Sequence, residues 1–277
     1  MATATSRLSS IARPGAVAAA FVRRDFLMIR SYRYPFVLDS FFGVRQLAVT
    51  YFISETFPET GGVELDGAPS YFAFAAIGIV ISLVIEAATQ GISSRVREGQ
   101  LSGSLEALLV QPLTTAQLCS GLVVFPFVFA MARAVIYMTV TVLVMQMDLS
   151  NTDWVGFVTI FLLSGAALTP LGVAAAALVL VYKRGDMLGG AVLFLMTLLS
   201  GAAFPVSVLP PLLQAIGSVV PLRFAFDGAR EALFLGGGWV PEAIGLAGFA
   251  VVGIPVSLWL FERALQKARR NGSLGQY

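Results

Sequence analysis

Long apolar segments dominate this sequence and restrict what it can fold into. Hydrophobic residues make up 57% of the 277 residues and charged residues 12%, against about 25% charged residues in a typical soluble domain. The apolar residues are gathered into segments of roughly 20, the length that an α-helix needs to cross the hydrocarbon core of a bilayer. The sequence therefore predicts an all-α integral membrane protein.

Six segments are long and apolar enough to serve as predicted transmembrane helices. They are residues 36–57, 71–90, 118–145, 154–181, 187–204 and 240–261. Residues 205–235 are also apolar, but four prolines interrupt them (Pro205, Pro210, Pro211 and Pro221). Because no uninterrupted piece is long enough to span, this stretch predicts an extracytoplasmic re-entrant helical hairpin between spans five and six.

The predicted hairpin carries a polar face. Arg223, Asp227 and Arg230 are spaced i, i+4, i+7, which places them on one side of a helix with internal salt bridges. The apolar residues of the same segment fall on the other side (Leu222, Phe226, Ala229 and Leu233).

Basic residues fix the predicted orientation. Arginines and lysines occur in the N-terminal arm, in the connections between spans two and three and between spans four and five, and in the C-terminal tail. The two opposite loops, "PETGGVELDGAPS" (58–70) and "MDLSNTD" (147–153), contain acidic residues and no basic ones. By the positive-inside rule both termini are cytoplasmic, and we expect a multi-pass protein of the plasma (inner) membrane.

The arm before the first span has two predicted parts. We expect disorder over residues 1–15 and an amphipathic interface helix over residues 16–33, ahead of a transmembrane domain over 34–277. On that helix an apolar face (Phe21, Val22, Phe26, Met28, Ile29 and Tyr32) is backed by arginines (Arg23, Arg24 and Arg30). The alternative is a charged lead-in that only orients the first span.

The connection between spans two and three, residues 91–117, contains an apolar run too short to span. Gly103 is a candidate N-cap of a short helix with Glu106 at its third position, and Pro112 ends it. On it Leu105, Leu108 and Leu109 form an apolar ridge. Thr114 and Gln117 predict a capping box for the next span. The ridge either docks on a partner or packs beneath the chain's own helices; the residues alone leave both open.

Charges inside the predicted spans are the remaining candidates for function. They are Asp39, Arg45, Glu86 and Arg133, and charged groups at membrane depth usually face protein or water. Estimated depths allow an Arg45–Glu86 pair and place Arg133 in the outer half, near Glu55 or the pathway. Both structural pairing and a transport role remain open.

Two long motifs carry a family resemblance. "REGQLSGSLEALLVQPLTTAQL", residues 97–118, resembles the cytoplasmic loop of type-two ABC exporter permeases. "LSGAAFPVSVLPPLLQAIGSVVPLRFAFDGAREALFLGG", residues 199–237, is similar to that family's passage after the fifth span. Phe224 departs from the pattern, since many relatives carry tyrosine there.

The resemblance implies a membrane subunit of an ATP-driven exporter rather than an enzyme. The sequence has no G-x-x-x-x-G-K-[ST] phosphate-binding loop, so ATP and magnesium are expected on a separate ATPase subunit, present in two copies. The implied contacts with that ATPase lie in the 97–118 loop (Arg97, Glu98, Leu105, Glu106, Leu108 and Leu109) and in the next cytoplasmic turn (Lys183 and Arg184). A second permease chain, giving a homodimer, is also implied.

Residue usage restricts the chemistry of the chain itself. It contains no histidine and a single cysteine, Cys119, so we expect no catalytic site, no metal site and no cofactor on it; nucleic acid is not an expected partner. Phenylalanine outnumbers tryptophan and tyrosine, 21 against 3 and 7, which favours an amphipathic or lipid-like substrate: a drug, a lipid or a lipid-linked glycan. The alternatives are a stand-alone secondary transporter and a non-transporting membrane scaffold.

Overall fold

The computed structural model describes residues 19–24, 26–27, 33–56, 64–103, 111, 113–181 and 185–270. Within these ranges the chain is helical and contains no strand, which confirms the all-α prediction. The α-helices are α1 (Arg33–Thr56), α2 (Tyr71–Leu101), α3 (Thr115–Leu143), α4 (Trp154–Val181), α5 (Gly185–Leu199), α6 (Pro211–Gly217), α7 (Pro221–Arg230) and α8 (Val240–Arg270).

Four helices of the described residues are long and apolar enough to cross a membrane: α2, α3, α4 and the Val240–Ala268 part of α8. The predicted fourth span coincides with α4. The second span was predicted to end near residue 90, yet α2 continues to Leu101, because Ile92 and Val96 are buried against the neighbouring helices and prolong the packed face.

Helix α5 is shorter than the predicted fifth span. It has 15 residues, about 22 Å at 1.5 Å per residue, and ends at Leu199 instead of residue 204. The chain turns there because Gly201 adopts a left-handed conformation with φ of 78°, which favours glycine.

Prolines divide the 205–235 stretch into short helices, as predicted. A 3₁₀ turn (Val206–Val208), α6, α7 and a π-helical turn (Glu231–Leu235) follow one another. Pro211 and Pro221 are the first residues of α6 and α7, where a missing N–H costs no helical hydrogen bond.

Helix α2 is the central helix of the fold, and most of its residues are buried. It packs against α3 and α4 along much of its length and touches α1, α5 and α7. Glycines permit close approaches on two sides of α2. A Cβ at Gly172 of α4 would lie 2.1 Å from the carbonyl oxygen of Ala88, and one at Gly78 would lie 2.0 Å from that of Ala202, in the turn after α5. This close packing leaves little of α2 free to face the surroundings.

The N-terminal arm is helical at residues 19–24 and 26–27. Phe21 is buried against Gly121, Leu118 and Leu122, so this part of the predicted membrane-facing surface contacts protein, because Gly121 leaves room for the ring. Phe26 is exposed, and so are Arg23 and Arg24. The remaining face residues Met28, Ile29, Arg30 and Tyr32 lie outside the described residues.

Candidate functional site

The exposed surface of α2 is polar. Between Phe72 and Val96 the exposed residues are Glu86, Gln90 and Ser94. Residues four apart lie along one face of a helix, and half-buried Ser82 and exposed Glu98 extend the series in both directions. We call these five residues, at positions 82, 86, 90, 94 and 98, the polar stripe.

Glu86 lies within the hydrocarbon core at every position along the membrane normal at which α2 still spans the bilayer. It is the middle residue of this 31-residue helix, about 22 Å from either end. The hydrocarbon core is about 30 Å thick, so a helix about 46 Å long that crosses it always holds its midpoint several ångströms inside the core. An ionisable side chain there faces protein or water rather than lipid.

The exposed surface of α8 has the composition expected of a helix that faces lipid. The exposed residues along α8 are largely aliphatic, among them Ile244, Val251, Val252 and Val256. The polar stripe of α2 is of the opposite character. An ionisable group at this depth is unfavourable against lipid, so the stripe differs in kind from the aliphatic surface of α8.

The structure does not bring Arg45 to Glu86. Both side chains are exposed, and no ion pair within 4.0 Å joins Glu86 to any basic residue of the described ranges. Arg45 lies over the Phe42 ring at 5.8 Å. The predicted pairing is absent, and the Arg45 guanidinium instead contacts an aromatic ring of its own helix.

Arg133 contacts an aromatic residue of its own helix. It donates a hydrogen bond of 3.0 Å to the Tyr137 hydroxyl, and Tyr137 is fully buried where Gly43 of α1 leaves room for its ring. Arg133 therefore supports the packing of α1 on α3. The side chain of Asp39 lies outside the described residues.

A groove of about 520 Å³ runs between α2, α4 and α5 beside the stripe. Its α2 wall is largely polar, and its α4 and α5 walls are apolar. The polar residues are Thr89, Gln90, Ser93, Ser94, Arg97 and Glu98; the apolar wall includes Leu171, Leu178, Val192, Leu193 and Met196. Arg97 and Glu98, predicted from the motif as partner contacts, thus line the end of this groove near the α2 C-terminus.

A second polar cluster joins the 205–235 stretch to α2. The predicted Arg223–Asp227 salt bridge is confirmed, with Nε 3.0 Å from Oδ2, and the predicted apolar face of α7 is buried. Arg230, however, is fully buried instead of lying on an exposed polar face. It stacks on the Phe74 ring at 3.5 Å and donates a 2.6 Å hydrogen bond to the Gly201 carbonyl.

Arg230 is buried because two acidic residues offset its charge. Asp66 and Asp227 lie 3.7 Å and 4.0 Å from its Nη1. Sequence spacing placed Arg230 near Asp227, but Asp66 and Phe74 come from distant parts of the chain. No signal in the sequence could have identified this cluster as a whole.

Burial sets the ionisation of the groups around Arg230. Desolvation lowers the pKa of Arg230 to about 10, against the opposing effect of Asp227 and Asp66. It raises the pKa of Asp227, while the hydrogen bond from Arg223 lowers it. Desolvation and the facing Glu242 carboxyl raise the pKa of Glu231 to about 7.

The loop between α2 and α3 is described only at its ends. Leu105, Glu106, Leu108 and Leu109 lie outside the described residues, as do Lys183 and Arg184. Gly103 does not act as the predicted N-cap: with φ of 69° it lies in the left-handed region just after α2, whereas an N-cap has extended backbone. The predicted capping box is confirmed, since Thr114 Oγ1 accepts from Gln117 N and Gln117 Oε1 accepts from Thr114 N.

Comparison with known proteins matches most of this chain to one family. The family model described as "ABC-2 type transporter" matches residues 18–234. Nodulation protein J of Sinorhizobium fredii is 30% identical over 206 residues, which cover 73% of this chain and 77% of that protein. Nodulation protein J of Neorhizobium galegae is 29% identical over 174 residues, covering 60% of this chain and 63% of that protein.

Proposed function

The chain belongs to the ABC-2 type transporter family, and on that premise we propose that it is the permease of an exporter driven by a separate ATPase. The observation that carries the proposal is the family match, which includes both the 97–118 loop and most of the 199–237 passage. The polar stripe supports it, because a transport path through a bilayer needs a polar surface at membrane depth.

The cytoplasmic loop after α2 is the proposed site of ATPase docking. Leu105, Glu106, Leu108 and Leu109 form its apolar contact, and Lys183 with Arg184 forms a second contact. The described ends of the loop support this placement, since α2 ends at Leu101, Gly103 follows it in the left-handed conformation, and the capped α3 starts at Thr115. Because this loop joins the ends of α2 and α3 on the proposed cytoplasmic side, a partner that moves the loop would also move these two helices.

The proposed topology has six crossings. Four are the longer spans α2, α3, α4 and α8, and the other two are α1 and α5. The stretch of short helices from Val206 to Leu235 then forms the outer re-entrant hairpin, packed on α2 through Arg230. Both termini lie in the cytoplasm of a cell whose inner membrane holds the protein.

A second copy of the chain completes the proposed path. Helix α1 exposes aromatic residues, among them Phe41, Phe42 and Phe52, and α5 exposes Phe194 and Leu195. A stripe with an ionisable group at its centre needs a covering partner, and two permease chains facing each other would cover it while leaving a wet interior. The substrate is then an amphipathic molecule whose polar part meets the stripe.

Co-purification tests the exporter assignment. The chain and a candidate ATPase subunit of an ABC exporter are expressed together, and we expect them to co-elute and to hydrolyse ATP in lipid nanodiscs. A chain that binds no ATPase and transports alone would instead be a secondary transporter, a candidate that the unpaired Glu86 favours. Dependence of transport on ATP or on an ion gradient separates the two.

Cysteine crosslinking tests the homodimer. In a Cys119→Ser background, Phe42→Cys on α1 is expected to crosslink two copies, whereas Val251→Cys on the aliphatic face of α8 is not. A strictly monomeric permease, or a requirement for a different sister permease, would count against a homodimer.

A further inference from the structure

We propose that the polar stripe selects a substrate whose polar part donates hydrogen bonds and carries no net negative charge. The role of this selection in export rests on the proposed function, whereas the binding preference itself depends only on the residues of the stripe. The chemistry that fits is an apolar chain joined to a polyhydroxyl or primary ammonium head group.

The hydroxyl groups of the polar stripe and of the groove beside it already donate their hydrogens within α2. Ser82 donates to the Gly78 carbonyl at 2.7 Å and Ser94 to the Gln90 carbonyl at 2.8 Å. Thr89 and Ser93 likewise donate to carbonyls one turn earlier on α2. A hydroxyl has one donor and two acceptor positions, so these four side chains offer a ligand acceptors only.

The carboxylates add further acceptors. Ionised Glu86 and Glu98 can only accept hydrogen bonds, and no protein donor in the described residues takes up their side-chain oxygens. Gln90 is the one stripe residue with an amide donor. Arg97 is the basic residue that lines the groove, and it already has an interaction of its own.

The stripe is therefore rich in acceptors, poor in donors and negative at its centre. A phosphate or carboxylate head group would bring a second negative charge to Glu86 in a poorly solvated site, where like charges repel more strongly than in water. Hydroxyls and ammonium groups instead supply the missing donors. The groove offers its apolar wall of α4 and α5 to the attached chain and Gln90, Ser94 and Glu98 to the head group. Glu86 does not line the groove itself but lies one helical turn from Gln90 on the same face of α2.

Direct binding to the permease tests this preference independently of ATPase activity. The full chain is placed in nanodiscs of zwitterionic lipid, with empty nanodiscs as the partition control. Three probes share a dodecyl chain and differ in head group: dodecyl maltoside, dodecylammonium and dodecyl phosphate. We expect saturable binding of the first two, mutual competition between them and no saturable binding of the third.

Variants of Glu86 connect the preference to the stripe. Glu86→Gln is expected to weaken dodecylammonium binding by about tenfold, equivalent to 1.4 kcal/mol, and to leave dodecyl maltoside within a few-fold, because a glutamine oxygen still accepts. Glu86→Lys is expected to admit dodecyl phosphate. Glu262→Gln removes an exposed carboxylate of α8 and is expected to change nothing.

The outcomes separate this inference from the exporter assignment. Binding of dodecyl phosphate as tight as that of dodecylammonium would overturn the inference, and so would saturable binding that no Glu86 variant alters or the absence of saturable binding by all three probes. None of these results depends on whether an ATPase associates with the chain.

Discussion

Arg230 anchors the 205–235 stretch to α2, and its replacement by methionine should loosen α7. Methionine keeps the length of the side chain but removes its charge and its donors. The change would break the hydrogen bond to the Gly201 carbonyl, the stacking on Phe74 and the charge contact with Asp227. Arg223→Met, on the same helix, is the matched control, because Arg223 is partly exposed while bonded to the same carboxylate.

The expected magnitudes differ because the two arginines differ in burial. Removing one partner of a buried ion pair costs about 3–5 kcal/mol. We expect the lower end for Arg230, about 3 kcal/mol, because its Nε and Nη1 have no hydrogen-bond acceptor and their burial already costs stability. A partly exposed pair such as Arg223–Asp227 contributes about 0.2–1 kcal/mol.

Native-state hydrogen exchange measures these values locally. At 1.4 kcal/mol per tenfold, Arg230→Met should accelerate exchange of the α7 amides by on the order of a hundredfold, and Arg223→Met by less than about fivefold. Equal effects of the two variants, or protection of α7 unchanged in Arg230→Met, would show that Arg230 does not hold this stretch in place.

Three further outcomes follow from the packing, the charges and the topology. Gly172→Ala puts a Cβ against the Ala88 carbonyl and should lower the free energy of unfolding by about 1–3 kcal/mol. Gly248→Ala, at an open position, should not lower it, and thermal unfolding compares the two variants. The pKa of Glu231 is raised to about 7 from 4.5, so its stabilising effect is complete below about pH 4.5 and is lost as the pH rises through 7; amide exchange across this range should show that loss, and Glu231→Gln should remove it. A cysteine at exposed Ser218 should resist a membrane-impermeant thiol reagent applied from the cytoplasm, and ready labelling would overturn the topology beyond α5.

Local signals in the sequence predicted the long helices well. The start of α4 at Trp154, the capping box at Thr114 and the proline-divided stretch all follow from short-range chemistry. The stripe could also have been found, since Ser82, Glu86, Gln90 and Ser94 recur every four residues in an otherwise apolar helix. It was missed because the sequence does not show that the other faces of α2 are buried. That burial comes from packing against other helices, and without it the four residues do not stand out as one surface.

Contacts between distant segments were beyond sequence reasoning. The burial of Arg230 depends on Phe74, Asp66 and Gly201, which no spacing rule relates to one another. The expected Arg45–Glu86 pair was estimated from depth alone, and depth does not determine which way a side chain points. The end of α2 differs from the prediction for the same reason, since packing prolongs this helix. The end of α5 differs for a local reason, the left-handed Gly201.

The affinity of the permease for its ATPase, with and without the leucine ridge, tests the central claim most directly. The Leu105→Ser, Leu108→Ser double variant leaves every span intact, and Leu212→Ser changes an exposed leucine of α6 as the control. Burial of one leucine contributes about 1.5–3 kcal/mol, so loss of two should weaken ATPase binding by at least about tenfold and stop ATP-driven export, while the control binds normally. A double variant that inserts, binds the ATPase as tightly as the unmodified chain and still exports would contradict the account.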